Sequence, residues 1–572
     1  MDRNKNINRS PLKQRLVSTA KYLGCAVVGC MVTFSIISAD VAEDDLKFGE
    51  NLRNLAHIFR ELNVSYVDPI DSDELLEAAA DAMTRTLDPY TTYIPESEMS
   101  DFEFMTTGKY GGIGALIRTK GDYTIISEPY KNTPADKAGL KAGDTILEID
   151  GESIKNLESS KVSNLMKGTA GTKVVLTIKR VVDDQVVKVP IYRDHIVVSG
   201  VRYYGMVSDS IGIIVHDQFT ENCSRDILDA FMDLKKQGAQ KLIIDIRNNG
   251  GGILQEAVSI LSMFVDKGTE VVSMRGRSQK SNQSFMTTIE PIDTNMPMAI
   301  LVNGSSASAS EIVAGALQDL DRAVLVGERT FGKGLVQSTA PINQSSYLKL
   351  TTAKYYIPSG RCIQAIDYSH RNSNGSASTV PDSLRQEFST AAGRIVYDGG
   401  GIKPDIEVEN EYLSEFSTNL YSLGYIEDFA NDYYKRHSSD SVAPDFTLSE
   451  QEYELFKAFL EDKSIKFRSR AWYMLDELRK TVEKDEHNKA ATKQLDEIEQ
   501  IISPDKQAGL ERYSQELSRL IENDIVRRYC YAWGATEQAL IDDKQLEAAI
   551  EVLSNHEQYN QLLSTTTPQQ DL

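Results

Sequence analysis

Residues 303–315, NGSSASASEIVAG, place four serines in six positions between an apolar strand and a helix. Ser308, with Glu311 three residues on, spells a capping box, in which a hydroxyl and a carboxylate satisfy the free N–H groups of a helix start. The same location suits a nucleophile. Helix-terminal N–H groups and the dipole stabilise developing negative charge, and the small Ala307 and Ala309 let a substrate backbone approach. Taken alone, the segment favours the cap. A second turn, KLIIDIRNNGGGILQEAV, leaves Gly250, Gly251 and Gly252 at another helix start, where amides can point at an anion or a carbonyl oxygen. Two such turns on consecutive βα units meet at the carboxyl edge of one sheet, where α/β sites form.

A serine nucleophile needs a base. The chain has 7 histidines. His216 lies in a strand, His195 at a domain junction, and no motif surrounds any of them. An unprotonated lysine is the alternative, because burial lowers its pKa toward the catalytic range. Lys333, in GERTFGKGLVQ, sits in a glycine-flanked stretch of low charge, and Gln337 four residues on could hold its amine. The same stretch, Gly327 to Gly334, reads G-x-x-x-x-G-K-G and raises a rival, a phosphate-binding loop. Gly334 stands where that loop needs a magnesium-binding Ser or Thr, and the residues that follow read as strands rather than a helix.

The elements that position these residues follow from periodicity. A chain of 572 residues holds roughly three or four domains. Residues 43–100 read as helical, with Leu75, Ala79, Met83 and Leu87 on one face and Asp88-Pro89 as the stop. From Tyr110 to Ile191, short apolar runs punctuated by glycine predict a small β-rich domain. From about 200 to 410, strands alternate with helices, the order of an α/β unit with a mostly parallel sheet. Residues 367–381 read as an exposed polar loop, and the chain beyond Val408 as charged and helical.

Composition narrows the function. The net charge of −22 argues against a nucleic-acid surface, which needs a concentrated positive field. Arg3, Lys5, Arg9, Lys13, Arg15 and Lys21 precede the apolar run from Tyr22 to Ala39, the pattern of an export signal or a membrane anchor. Five cysteines, two of them inside that run, give no disulfide framework, and no cysteine–histidine spacing suggests zinc.

Several blocks in order resemble the carboxyl-terminal processing, or tail-specific, proteases: LDPYTTYI, YGGIGALI, TPADKAGLKAGDTILEIDG, DIRNNGGG, SSASASEIVAGALQD, VGERTFGKGLVQ, YYIPSGRCIQ and GIKPDI. The resemblance implies a multidomain α/β fold: a ClpP/crotonase-like protease core with an inserted PDZ domain, a helical N-terminal segment and a helical C-terminal extension. The expected divisions are 1–42 signal or anchor, 43–105 helical, 106–192 PDZ-like, 193–410 protease core and 411–572 extension. It implies Ser308 as nucleophile, Lys333 as general base, Gln337 orienting the lysine, and the amides of Gly252 and Ala309 as oxyanion donors. Gly112, Ile113 and Gly114 would meet the carboxyl end of a peptide. No metal or cofactor is implied. The partners expected are proteins or peptides with accessible carboxyl-terminal tails, with membrane contact through the N-terminal segment and room for a homo-oligomer. The location expected is the bacterial envelope, on the periplasmic side. Two other readings stand beside this one: a non-proteolytic PDZ-containing scaffold, and acyl-thioester chemistry, for which the sequence offers no cationic coenzyme A pocket.

Overall fold

The computed structural model describes residues 46–372, 375–463, 465, 470–484, 491–502 and 506–564. The basic and apolar segment read as a signal or anchor lies outside them. Among the described residues no helix is long and apolar enough to cross a membrane.

The described residues up to Thr86 form a unit of their own. It holds a helix over 46–65 and another over Ser72–Arg85, capped by Asp71, whose carboxylate accepts the N–H groups of Asp73 and Glu74. Of the stripe expected on the second helix, Met83 is exposed, as is Leu87 beyond its end; the buried residues are Ala80 and Thr84.

The second unit runs from Leu87 to Leu572. Its centre is a six-stranded sheet of β1 (Val201–Met206), β2 (Ile211–His216), β3 (Lys241–Asp245), β4 (Met298–Val302), β5 (Val324–Gly327) and a last short strand, Ile406–Glu407, in that spatial order. Only the β1–β2 pair is antiparallel. Strand side chains alternate faces, so a sheet covered on both sides needs continuous apolar strands. MAILV in β4 and VLVG in β5 are buried throughout. On one face Ile214, Leu242, Ile244, Ile300 and Leu325 pack against helices α1 (Cys223–Gln237), α2 (Leu254–Phe264) and α3 (Ala309–Asp319). On the other, Ile213, Ile243, Leu301, Val324 and Val326 meet Leu546, Ala549, Val552 and Leu553. These last residues belong to the helix Lys544–Ser554 of the C-terminal extension, which therefore completes the central core.

A second sheet carries the hairpin β6 (Leu335–Pro341) and β7 (Tyr347–Tyr356), with Thr92–Ile94 on the other side of β7. The stretch 367–381, expected to be a loop, is a hairpin: Ile366–Arg371 pairs with Ala377–Thr379. Its strands carry polar residues on both faces and so show no period-two pattern. Asn372 closes the turn, its side-chain amide donating to the hydroxyls of Ser376 and Ser378 at 2.9 Å each.

The β-rich domain is a sheet of Ala115–Lys120, Tyr123–Pro129, Thr145–Ile149, Lys173–Lys179 and Val186–Tyr192, with the helix Ser159–Met166 against it. Ala115–Lys120 pairs only with Tyr123–Pro129, so it is an edge strand. The extension docks on this domain from helices Tyr425–Arg436 and Ser514–Ala539. Arg118 pairs with Glu427, Lys120 with Asp428 and Lys435 with Asp184. The long helix is broken at Tyr531 (φ 60°, ψ −170°), a left-handed conformation that a bulky side chain rarely adopts. The break frees the Ala532 N–H, which donates to the buried Glu128 carboxylate at 2.6 Å. The Tyr531 hydroxyl donates to Asp136 at 2.7 Å.

Candidate active site

The two glycine and serine turns leave the carboxyl ends of β3 and β4 and lock together. The N–H of Ala307 donates to the carbonyl of Asn249 at 3.0 Å, and the Ser310 hydroxyl donates to the same oxygen at 2.8 Å. Gly251 shows why a glycine stands there. With φ at +95°, a Cβ at this position would lie 2.6 Å from the Ala307 carbonyl and 2.8 Å from both the Ala309 nitrogen and the Ser308 Cβ.

The four serines are not equivalent. The Ser306 hydroxyl donates to the Ile246 carbonyl at 2.8 Å, and that of Ser310 holds Asn249. Ser305 is exposed. Ser308 stands at the N-cap of α3 with φ 59° and ψ −115°, a backbone strain of about 1–3 kcal/mol for a residue with a side chain. Its capping box is carried by Glu311, whose Oε2 accepts the Ser308 N–H at 2.9 Å. The Ser308 hydroxyl's approach to the helix amides falls short of a full hydrogen bond. Beside it the N–H groups of Gly252 and Ala309 donate to no acceptor among the described residues, whereas that of Gly251 is taken by Asn249 Oδ1 at 2.9 Å.

Glu311 does more than cap. Fully buried, it also accepts the Thr330 hydroxyl at 2.5 Å, the Gly332 N–H at 2.8 Å and the Lys333 N–H at 2.9 Å. One carboxylate thus joins the serine turn to the lysine turn. Burial pushes its pKa up to about 7, against the pull of these donors. The Tyr355 hydroxyl adds a second clasp, 2.6 Å from the Lys333 carbonyl and 3.2 Å from that of Ser308. These contacts also remove the phosphate-loop reading, since the amides of Gly332 and Lys333 are spent on a carboxylate and the chain continues as strand β6.

The Lys333 side chain is half-buried. Burial first and the neighbouring Lys349 second lower its pKa to about 8, against the opposing pull of Glu311 and Asp88. Its ammonium lies over the Tyr90 ring, 4.4 Å from the centroid, and does not hydrogen-bond to the Ser308 hydroxyl. Gln337 is not brought to the lysine either; its amide donates to the Thr351 hydroxyl at 3.2 Å, across the β6–β7 pair. His216 is buried in the core with Nδ1 2.9 Å from the Gly200 carbonyl, and burial drops its pKa to about 4. His195 is exposed on the strand Asp194–Val197.

In the β-rich domain, Gly112 ends the strand Lys109–Gly112, and a Cβ on it would lie 2.6 Å from the Tyr110 ring. The Ile113 carbonyl accepts the Ala135 N–H at 2.8 Å, and the Gly114 carbonyl the Tyr130 N–H at 2.9 Å. The adjoining edge strand lies beside the helix Ser159–Met166, and the hydroxyls of Thr119 and Ser159 meet between them at 2.5 Å. Among the described residues no cluster of metal-ligating side chains occurs.

Residue patterns had singled out neither Thr330, Tyr355, Tyr90 nor Lys349. Tyr90, Thr330 and Tyr355 lie in blocks already conspicuous for their resemblance, LDPYTTYI, VGERTFGKGLVQ and YYIPSGRCIQ; Lys349 lies in none of them.

Three family models match the chain. The model for "Peptidase family S41" matches residues 210–369, that for "PDZ domain" residues 125–180, and that for "Probable PDZ-protease, C-terminal helical domain" residues 416–553. A carboxy-terminal-processing protease of Bartonella bacilliformis is 39% identical over 321 residues, 55% of this chain and 73% of that protein. A protein of Staphylococcus aureus named "Probable CtpA-like serine protease" is 36% identical over 315 residues, 55% of this chain and 62% of its own length. Among solved structures, the photosystem II D1 C-terminal processing protease is 26% identical, covering 62% of this chain and 91% of its own, with a TM-score of 0.33. Core and accessory domain together define a serine-type peptidase with a PDZ domain. The chain belongs to peptidase family S41, the family of the carboxy-terminal-processing proteases.

Proposed function

We propose that the protein is an exported endopeptidase that cleaves protein substrates near their carboxyl termini, with Ser308 as nucleophile and Lys333 as general base. The observation that carries this reading is the strained Ser308 beside two undonated amides, tied through Glu311 to a lysine of lowered pKa. In the reaction Ser308 Oγ bonds to the peptide carbonyl carbon as its proton passes to the neutral Lys333 amine. The amides of Gly252 and Ala309 receive the oxyanion. The C–N bond then breaks, the leaving amine takes the proton back, and water hydrolyses the acyl-enzyme. Gln337 orients the amine once it faces Ser308. Gly112, Ile113 and Gly114 lead into the edge strand Ala115–Lys120, which offers a substrate's carboxyl end a strand to join. Export rests on the basic and apolar N-terminal segment, which suits a periplasmic or envelope-anchored enzyme.

The test is an unstructured, carboxyl-tailed protein as substrate, with mass spectrometry reading the new carboxyl termini and an active-serine probe reading the labelled residue. Cleavage and label at Ser308 should vanish together in Ser308→Ala; undiminished cleavage in that variant refutes the assignment.

The lysine predicts the pH dependence. Only the neutral amine takes a proton, so kcat/KM should rise with pH and reach half its plateau near the Lys333 value of about 8. Lys349→Met removes a like charge that favours the neutral amine, so the profile should move to higher pH. A profile that stays in place would show that Lys349 does not act on Lys333.

A further inference from the structure

Tyr90 is held from three sides. The Asp88 carboxylate accepts the N–H groups of Tyr90 and Thr91, each at 2.8 Å, and the Thr91 hydroxyl at 3.0 Å, which fixes the turn. The Thr91 hydroxyl in turn accepts the Thr351 N–H at 3.2 Å, and Thr92 pairs with Lys349, so the turn is sewn to β7. The hairpin strand Ile366–Arg371 then sets Tyr368 edge-on to the Tyr90 ring at 6.0 Å. The ring so fixed offers its face to the Lys333 ammonium.

A ring face attracts a cation and is nearly indifferent to a neutral amine. We propose that Tyr90 is a positioning residue that holds the protonated Lys333 away from Ser308, so that the lysine becomes available to the serine only on losing its proton. This rests on the assignment of Lys333 as base and adds how that base is kept apart from its nucleophile. The charged groups facing the lysine from each neighbouring element are Lys349 on β7, Glu311 on α3 and Asp88 on the turn itself. Among the described residues neither carboxylate forms an ion pair with the ammonium, which lies 4.4 Å from the centre of the ring.

Tyr90→Leu keeps an apolar cover of similar reach and removes the ring face; Tyr90→Phe keeps the face. In the leucine variant the acid limb of kcat/KM should move to lower pH by about half a unit to one unit, the scale of a buried cation–π contact. Activity below the limb should rise about three- to tenfold, and the high-pH plateau should stay in place because the neutral amine was never held. The phenylalanine variant should keep the wild-type profile. Independently of turnover, 13C-labelled lysine in a Ser308→Ala background should show Lys333 titrating lower when Tyr90→Leu is added. A titration that does not move, in a variant whose thermal unfolding matches the parent, overturns the proposal. A plateau that falls equally in both variants does so too, by assigning the role to the hydroxyl. Cleavage surviving in Ser308→Ala would instead strike the catalytic assignment and leave the titration result standing.

Discussion

Ser308→Ala is expected to lower kcat/KM by about four to six orders of magnitude, and adding Lys333→Ala to it should take away almost nothing more. The reason is that the two groups perform one event. The hydroxyl is a poor nucleophile unless its proton has somewhere to go, and the amine has no proton to take once the hydroxyl is gone. What survives either change is the contribution of the Gly252 and Ala309 amides, which polarise a carbonyl whether or not a nucleophile is present. The double variant, assayed beside both single ones on the same peptide, checks this. Losses that multiply would mean that the lysine acts elsewhere than on the serine. Lys333→Ala also removes the cation from the Tyr90 ring but leaves its backbone N–H on Glu311, so the turn itself should persist.

The second large effect is expected at Glu311. Glu311→Ala strands four donors inside the protein: the N–H groups of Ser308, Gly332 and Lys333, and the Thr330 hydroxyl. An unsatisfied buried donor costs about 1–3 kcal/mol, so the variant should lose on the order of 4 kcal/mol or more of stability along with its activity. Glu311→Gln is the sharper experiment. Its amide keeps one acceptor oxygen but turns an NH2 group toward two of the four donors, so it preserves size and removes only half of the acceptance. A kcat loss of about a hundredfold or more is expected with a smaller loss of stability, near 2–3 kcal/mol. Denaturant unfolding and kcat measured on the same preparations decide it. A glutamine variant with parental kcat would show that the carboxylate holds the fold without placing Ser308 and Lys333.

How much of this was legible in the sequence depends on the distance over which each contact acts. The alternating strands and helices of the core were readable because burial on both faces of a parallel sheet writes continuous apolar runs, as in KLIID and MAILV. Ser308 was readable as a helix start and Gly250 to Gly252 as a backbone-exposing turn, since both are local. Glu311 was read only as the partner of its neighbour three residues away. Its other three donors arrive from residues 330–333 through tertiary folding, which leaves no periodic trace. The Tyr90–Lys333 contact joins residues far apart in the sequence in the same way. The extension's cover of the sheet was invisible for a different reason. Leu546, Ala549 and Leu553 form the stripe of any amphipathic helix, and a stripe does not say which surface it meets.

The break at Tyr531 bears on how this chain could be taken apart. A strained residue in mid-helix persists only while its surroundings repay it. Here the repayment comes from another domain: Glu128 accepts the freed Ala532 N–H, and Asp136 the Tyr531 hydroxyl. Glu128, buried and paired with Arg527, draws its partners from the extension in return. The two domains are therefore not interchangeable beads on a string. A PDZ domain grafted in from a relative without a carboxylate at that place would leave the helix bent around nothing, and the extension excised alone would tend to straighten. Recombination within such a lineage has to move the sheet and the helix together.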